Sequence, residues 1–127
     1  MTDPVEELKK HLARKREIKI SVIGRKSGAT ITIPVWFVLE PDKLYLLPVY
    51  GSDTQWFKNL KKNRLLGIVA GGWEGSFNPV LVHDPKVVEA VVEKFRAKYG
   101  TADVRRYYTK FDVAVRVALG RPASAAA

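Results

Sequence analysis

From Phe111 to Leu119 the chain reads Phe-Asp-Val-Ala-Val-Arg-Val-Ala-Leu, with every odd-numbered position apolar and Asp112, Ala114, Arg116 and Ala118 between them. Alternation with a period of two fits a strand with one face in a core; a helix, repeating every 3.6 residues, cannot sort those side chains onto one side. The same pattern occurs near the start, where Ile18, Ile20 and Val22 alternate with Lys19 and Ser21. Further strands are expected over Thr30–Leu39, Lys43–Val49, Arg64–Ala70 and Trp73–His83, with Gly75 and Asn78-Pro79 marking a bend or bulge in the last. Pro34 cannot donate to a ladder, so it marks an edge, a bulge or a place where a ligand stands in for a neighbouring strand.

Helical periodicity is confined to three stretches. Pro4 to Arg14 places Val5, Leu8 and Leu12 on one face behind an Asp3 cap, with Glu6 at the capping-box position. Ser52-Asp53-Thr54-Gln55 has capping-box spacing and opens a short helix through Lys62, with Trp56 and Leu60 inward. Asp84-Pro85 starts a longer helix that Gly100 ends; Val87, Val91 and Phe95 form its stripe, with Val88, Val92 and Tyr99 beside them. Arg105 to Tyr108 is read as a basic, tyrosine-bearing segment before the last strand. Six strands, three helices and short turns, without a βαβα rhythm, predict a mainly β fold: an antiparallel sheet closed or half-closed into a barrel, helices outside.

A chain of 127 residues makes one domain, expected over residues 1–120, with 121–127 as a frayed tail. Hydrophobic content of 46% is that of an ordinary globular chain. There is no cysteine and there are only two histidines, His11 and His83, which excludes disulfides, thiolate metal sites and thiol nucleophiles and disfavours a histidine metal site. No apolar run approaches the roughly 20 residues of a membrane span, and the charged N-terminus has no signal core, so a cytoplasmic protein is expected. Against 13 acids stand 22 lysines and arginines, a net charge of +9 that suggests an acidic partner or serves solubility alone.

Gly24-Arg25-Lys26-Ser27-Gly28 offers two cations, a hydroxyl and flexible amides, the chemistry of a phosphate or carboxylate grip; its plain alternative is an exposed basic turn. It lacks the spacing of a Walker A loop. The helix start at Ser52 is a second candidate anion site, with Gly51 allowing close approach and Gln55 and Asn59 nearby; a capping box is the plain alternative. Trp36, Trp56, Tyr50, Tyr107 and Tyr108 could wall a flat heterocycle or simply pack. There is no Gly-x-Ser-x-Gly elbow, no His-Glu-x-x-His, and no spaced histidine and acid to complete a triad. If the chain is an enzyme, a cofactor carries the chemistry.

Gly24–Gly28, then Ile33-Pro34-Val35-Trp36-Phe37-Val38, then Leu44-Tyr45-Leu46, then Gly51-Ser52 with Gln55-Trp56-Phe57-Lys58-Asn59-Leu60, resembles in order and spacing the split β-barrel flavin and deazaflavin oxidoreductases. The closest likeness is to the deazaflavin (F420)-dependent nitroreductase family. It covers about Ile18 to Val69, with weaker agreement in Phe95–Gly100 and the terminal strand. The resemblance implies a six-stranded antiparallel split β-barrel and coenzyme F420, whose phosphodiester and glutamate tail is a polyanion suited to the +9 charge. Carried over by position, Arg25, Lys26, Ser27 and Gly28 would hold the phosphate and tail. Pro34, Val35 and Trp36 would border the ring, and Gly51, Ser52, Trp56 and Asn59 would close the pocket. Tyr50, Tyr107 and Tyr108 would face the substrate. No residue is assigned as catalytic and no metal is implied. The reaction would be hydride transfer from the reduced ring to a small nitro, quinone or enone compound.

Two departures stand out. Ile31 occupies a position where members of that branch often carry another cation, and the loop before the short helix lacks their lysine. FMN therefore stays open as the cofactor, and a catalytically silent ligand or haem carrier as the role. A barrel binding single-stranded nucleic acid is a further alternative, against which the aromatic residues lie mainly in apolar runs. The expected partners are a small-molecule substrate and, since split barrels commonly dimerise, a second copy of the chain.

Overall fold

The computed structural model describes residues 4–13 and 15–119; the Asp3 cap, the Val5 side chain, Arg14 and the tail from residue 121 lie outside the description. Seven strands form: β1 (Glu17–Ile23), β2 (Thr30–Glu40), β3 (Lys43–Leu46), β4 (Leu66–Ala70), β5 (Trp73–Phe77), β6 (Val80–Val82) and β7 (Ala114–Ala118). Around them lie α1 (Pro4–Leu12), α2 (Gln55–Lys62), α3 (Pro85–Tyr99) and α4 (Thr101–Tyr107), with one 3-10 turn at Gly51–Asp53. All strand pairs are antiparallel, in the order β5-β4-β1-β2-β3-β7-β6.

That order dictates the shape. β5 and β6 stand at opposite edges, yet only Asn78 and Pro79 separate them in the chain. A flat seven-stranded sheet would hold its edge strands about 29 Å apart. Three Cα steps reach at most about 11 Å. The sheet must therefore curl until its edges meet, which makes a half-closed barrel of the split-barrel class. This corrects the strand count from six to seven. The expected strand Trp73–His83 breaks at Asn78-Pro79, where proline has no donor for a ladder, and its halves join opposite edges.

The odd-numbered residues of the last strand do face the interior. Val113, Val115, Val117 and Leu119 are buried with Ile18, Ile20, Val22, Phe37, Leu44, Leu46, Leu66, Ile68 and Phe77. Leu8 and Leu12 of α1 and Trp56, Phe57 and Leu60 of α2 join the same cluster. A second cluster forms where Val38, Tyr45, Val82 and Ala114 meet Val88, Val91, Val92, Phe95 and Tyr99 of α3 and Val104 and Tyr108. The Asp84 side chain caps α3 by accepting from the Lys86 N–H at 2.9 Å, with Pro85 in the first turn. A fourth helix, α4, takes in Arg105 to Tyr107, read above only as a basic, tyrosine-bearing segment before the last strand; β7 that follows it lies between β3 and β6 and is not an edge.

β2 changes neighbours along its length. Thr30 to Trp36 pair with β1, while only Phe37 to Glu40 pair with β3. Pro34 sits opposite Lys19 without interrupting the register. Because it has no N–H to exchange, its backbone faces away from β1, toward the side where none of the described strands runs; by the alternation of an antiparallel ladder the Trp36 backbone faces the same way.

Candidate functional site

A cleft of about 540 Å³ opens beside that unpartnered stretch of β2. Ile33, Pro34, Val35 and Trp36 form one wall. Leu47, Val49, Tyr50, Thr54 and Trp56 form the facing wall, and Tyr107, Tyr108 and Glu17 close it. It exists because β3 ends at Leu46 instead of running to Val49, so the chain swings away from β2. Pro48, with no donor to offer β2, stands just past the point of divergence.

The aromatic wall is braced from behind. Trp36 stacks on Tyr99 at 4.2 Å with the rings 6° from parallel, and meets Tyr107 edge-on at 5.5 Å. Tyr99 in turn fills a gap in the sheet. β1 pairs with β2 only as far as Glu17, so the Phe37 N–H and carbonyl have no strand partner on that side. The N–H donates to the Tyr99 hydroxyl at 3.0 Å, and that hydroxyl lies 2.6 Å from the Arg16 carbonyl and 2.8 Å from the Phe37 carbonyl, either of which accepts its proton. Lys98 Nζ also donates to the Phe37 carbonyl at 2.8 Å and sits 3.6 Å from the Phe37 ring centroid. Burial, with the Arg16 charge adding to it, pulls the Lys98 ammonium down to about 8. Burial likewise pushes the Tyr99 hydroxyl up to about 12 and raises Tyr108.

The facing wall is held by the loop after α4. The Thr109 N–H donates to the Val49 carbonyl at 2.9 Å, and Tyr50 makes a parallel bridge with Lys110. Ser52 donates to Asp112 twice, from its N–H to Oδ1 at 2.9 Å and from its hydroxyl to Oδ2 at 2.5 Å. The capping box expected at Ser52–Gln55 is thus not formed. α2 starts three residues later than Ser52, its N-cap is Thr54, and Thr54 Oγ1 accepts from the Tyr50 N–H at 2.8 Å instead of capping the helix. A carboxylate 60 residues away outcompetes the local cap for the serine. Gly51 is needed here: its φ is +57°, and a Cβ would overlap Asp112 Oδ1 and Lys110.

The basic turn lies against α2. Arg25 donates from its backbone N–H to Asn59 Oδ1 at 3.1 Å, from its guanidinium to the same oxygen at 2.8 Å, and to Gln55 Oε1 at 2.8 Å. Lys62 Nζ donates to the Arg25 carbonyl. Other amides of the turn are also engaged: Gly24 with the Ala29 carbonyl, Gly28 with the Gly24 carbonyl and Ala29 with Ser27 Oγ. Between turn and helix lies a hollow of about 260 Å³ lined by Gly24, Arg25, Lys26, Ser27, Ile31, Gln55 and Asn59.

The candidate residues therefore fall into two adjoining groups. Pro34, Val35, Trp36, Trp56, Tyr50, Tyr107 and Tyr108 line the cleft; Arg25, Lys26, Ser27 and Asn59 line the hollow. Gly28, Gly51 and Ser52 line neither. Sequence reasoning overlooked Glu17, Thr54, Tyr99, Lys98, Lys110 and Asp112. No motif marks them: Tyr99, Lys98, Lys110 and Asp112 act on partners distant in the chain, Glu17 reaches the cleft only through the fold, and Thr54 reads locally as part of a helix cap.

A family model described as an uncharacterized protein conserved in bacteria (DUF2255) matches residues 7–119. No curated protein matches the chain. Among solved structures, an F420-H2 dependent reductase (FDR-A) superposes with a TM-score of 0.63 at 18% identity, covering 81% of this chain and 94% of that one. The conserved hypothetical protein Rv2991 from Mycobacterium tuberculosis gives 0.69 at 18% identity, over 96% and 82%. HutZ, the heme storage protein from Vibrio cholerae, gives 0.65 at 12% identity, over 89% and 87%. Identities this low speak for the fold, which is the split barrel that the resemblance in Gly24–Leu60 implied. With the family match spanning nearly all of the described residues, the chain belongs to the DUF2255 family.

Proposed function

We propose that the protein is an F420-dependent oxidoreductase that reduces a small electrophile of nitro, quinone or enone type. The observation that carries this reading is the adjacency of the two hollows, one apolar and aromatic, the other cationic. Ile31 lines the hollow and Ile33 the cleft, two residues apart on one face of β2 and so about 7 Å from each other. On α2, Gln55 and Asn59 belong to one and Trp56 to the other. A planar ring with an anionic handle has that polarity.

The residues present fit such a group. The cleft falls within the range of roughly 300–1,000 Å³ usual for small-molecule sites, and Trp36 and Trp56 offer flat apolar surface to a ring. Lys26 and the Ser27 hydroxyl would meet an anionic tail. Arg25 spends donors on Asn59 and Gln55, but a guanidinium carries about five N–H groups and keeps some for a phosphate. When bound in its reduced form, the deazaflavin supplies a hydride. The chain's part is to exclude water with Trp36, Val35 and Trp56 and to orient a carbonyl or nitro oxygen with the hydroxyls of Tyr50 and Tyr107. The reductase of the same fold supports the reading. Ile31 leaves the hollow with Arg25 and Lys26 as its cations, which suits the single phosphate of FMN equally, so FMN is the second reading.

Titration of the purified protein with F420 and with FMN, followed by tryptophan emission, tests this. Saturation by F420 at micromolar concentration is expected, and Lys26→Ala should weaken it about tenfold, roughly 1.4 kcal/mol. Saturation by FMN alone would reassign the cofactor, and saturation by neither would end the proposal.

A further inference from the structure

The cleft has a side that no strand ladder holds. Leu47 to Thr54 part from β2 after Leu46, so the spacing between Tyr50 on that wall and Tyr107 and Tyr108 on α4 and its end depends on whatever ties the two segments together. Two of those ties are backbone, from the Thr109 N–H to the Val49 carbonyl and between Tyr50 and Lys110, and a third is made by a single side chain, Asp112. Asp112 accepts the N–H of Ser52 on one carboxylate oxygen and its hydroxyl on the other. Lys110 lies 3.6 Å from the same carboxylate and 3.1 Å from Asp53, closing a ring of charges between the loops. Gly51 lets the carboxylate in, since any Cβ there would collide with it.

We propose that Asp112 is the positioning residue of the cleft: its bidentate hold on Ser52 sets the distance between the wall bearing Tyr50 and the wall bearing Tyr107. Tyr50 is 58% exposed and Tyr107 48% exposed, so neither is fixed by burial, and the backbone bridge between Tyr50 and Lys110 transmits the hold directly to the cleft rim. Burial pushes the Asp112 carboxyl up, but the two bonds from Ser52 and the Lys110 charge outweigh it and keep the group below the usual carboxylate range, so it holds Ser52 as an anion at neutral pH. Which ligand profits from the spacing rests on the F420 reading above; the spacing itself does not.

Because the chain has no cysteine, Tyr50→Cys and Tyr107→Cys accept two spin labels and nothing else does. Pulsed electron paramagnetic resonance should give one narrow distance distribution in the labelled parent. Adding Asp112→Ala should broaden and lengthen it while the protein still melts cooperatively, and Asp112→Asn, which keeps the shape and one acceptor, should restore most of the narrow population. If Asp112→Ala does not fold, Asp112→Asn carries the test with a smaller broadening. Identical distributions in parent and foldable variant would overturn the proposal. In the unlabelled protein, Asp112→Ala should release F420 about three- to tenfold more readily. A widened distribution with unchanged F420 and FMN affinity would uphold the bracket and count against the cofactor reading.

Discussion

Tyr99 and Lys98 show how single side chains can complete a sheet. The Phe37 N–H and carbonyl are left over where β1 stops, and a buried amide without a partner costs about 1–3 kcal/mol. Tyr99→Phe removes the oxygen that accepts from that N–H, so a loss of stability of about that size is expected in urea denaturation. Lys98 titrates in the same place. In the folded chain its pKa is about 8, against the usual 10.5, so between these values the unfolded chain holds a proton that the folded chain has shed. Stability should therefore rise with pH from about 8 upward. Tyr99, raised from 10.0 to about 12, works the other way, but only above pH 10. Melting midpoints across pH 8–10 should climb in the parent and climb less in Lys98→Met; equal slopes would mean that Lys98 does not cause the climb. The sequence carried a hint of neither role. The stripe on α3 placed Tyr99 beside the core, but its hydroxyl reaches Phe37, 62 residues away, and nothing local marks that partner.

Among elements, the β1–β2 turn and α2 behave as one unit. The motif Gly24–Gly28 and the helix over Gln55–Lys62 were both legible, the first from its glycines and cations, the second from the spacing of Trp56 and Leu60. Their junction was not, since nothing local tells that Asn59 is buried against the turn, accepting twice from Arg25. Asn59→Ala should cost about 1–3 kcal/mol and free the turn, seen as faster amide hydrogen exchange at Arg25 with the β4–β5 hairpin unchanged. The expected Ser52 cap fails for the same kind of reason: a local pattern met a stronger distant partner in Asp112. Helix α4 was hidden because Arg105 to Tyr108 is too short to show a period, and β5 and β6 looked like one strand until the barrel gave their ends different neighbours.

At the scale of the molecule, alternation in β1 and β7 and the absence of a βαβα rhythm were enough for the class of fold, because which residues face inward depends only on period and hydrophobicity. Closure depends on topology, and comes from a two-residue link between the sheet's two edges. Closing the barrel while β3 peels from β2 leaves the cleft, and packing the basic turn on α2 puts cations at its end. Among the described residues no helix is long and apolar enough to cross a membrane. On the proposed function, cleft and hollow are two ends of one ligand site. The three tryptophans provide an internal control, since Trp36 and Trp56 line the cleft and Trp73 packs at the barrel core. In a ¹⁵N-labelled sample titrated with F420, the indole N–H signals of Trp36 and Trp56 should move with the backbone amides of Lys26 and Ser27 along one saturation curve, while Trp73 stays in place. Tryptophan shifts with silent turn amides, or no shift at Trp36 and Trp56, would contradict it.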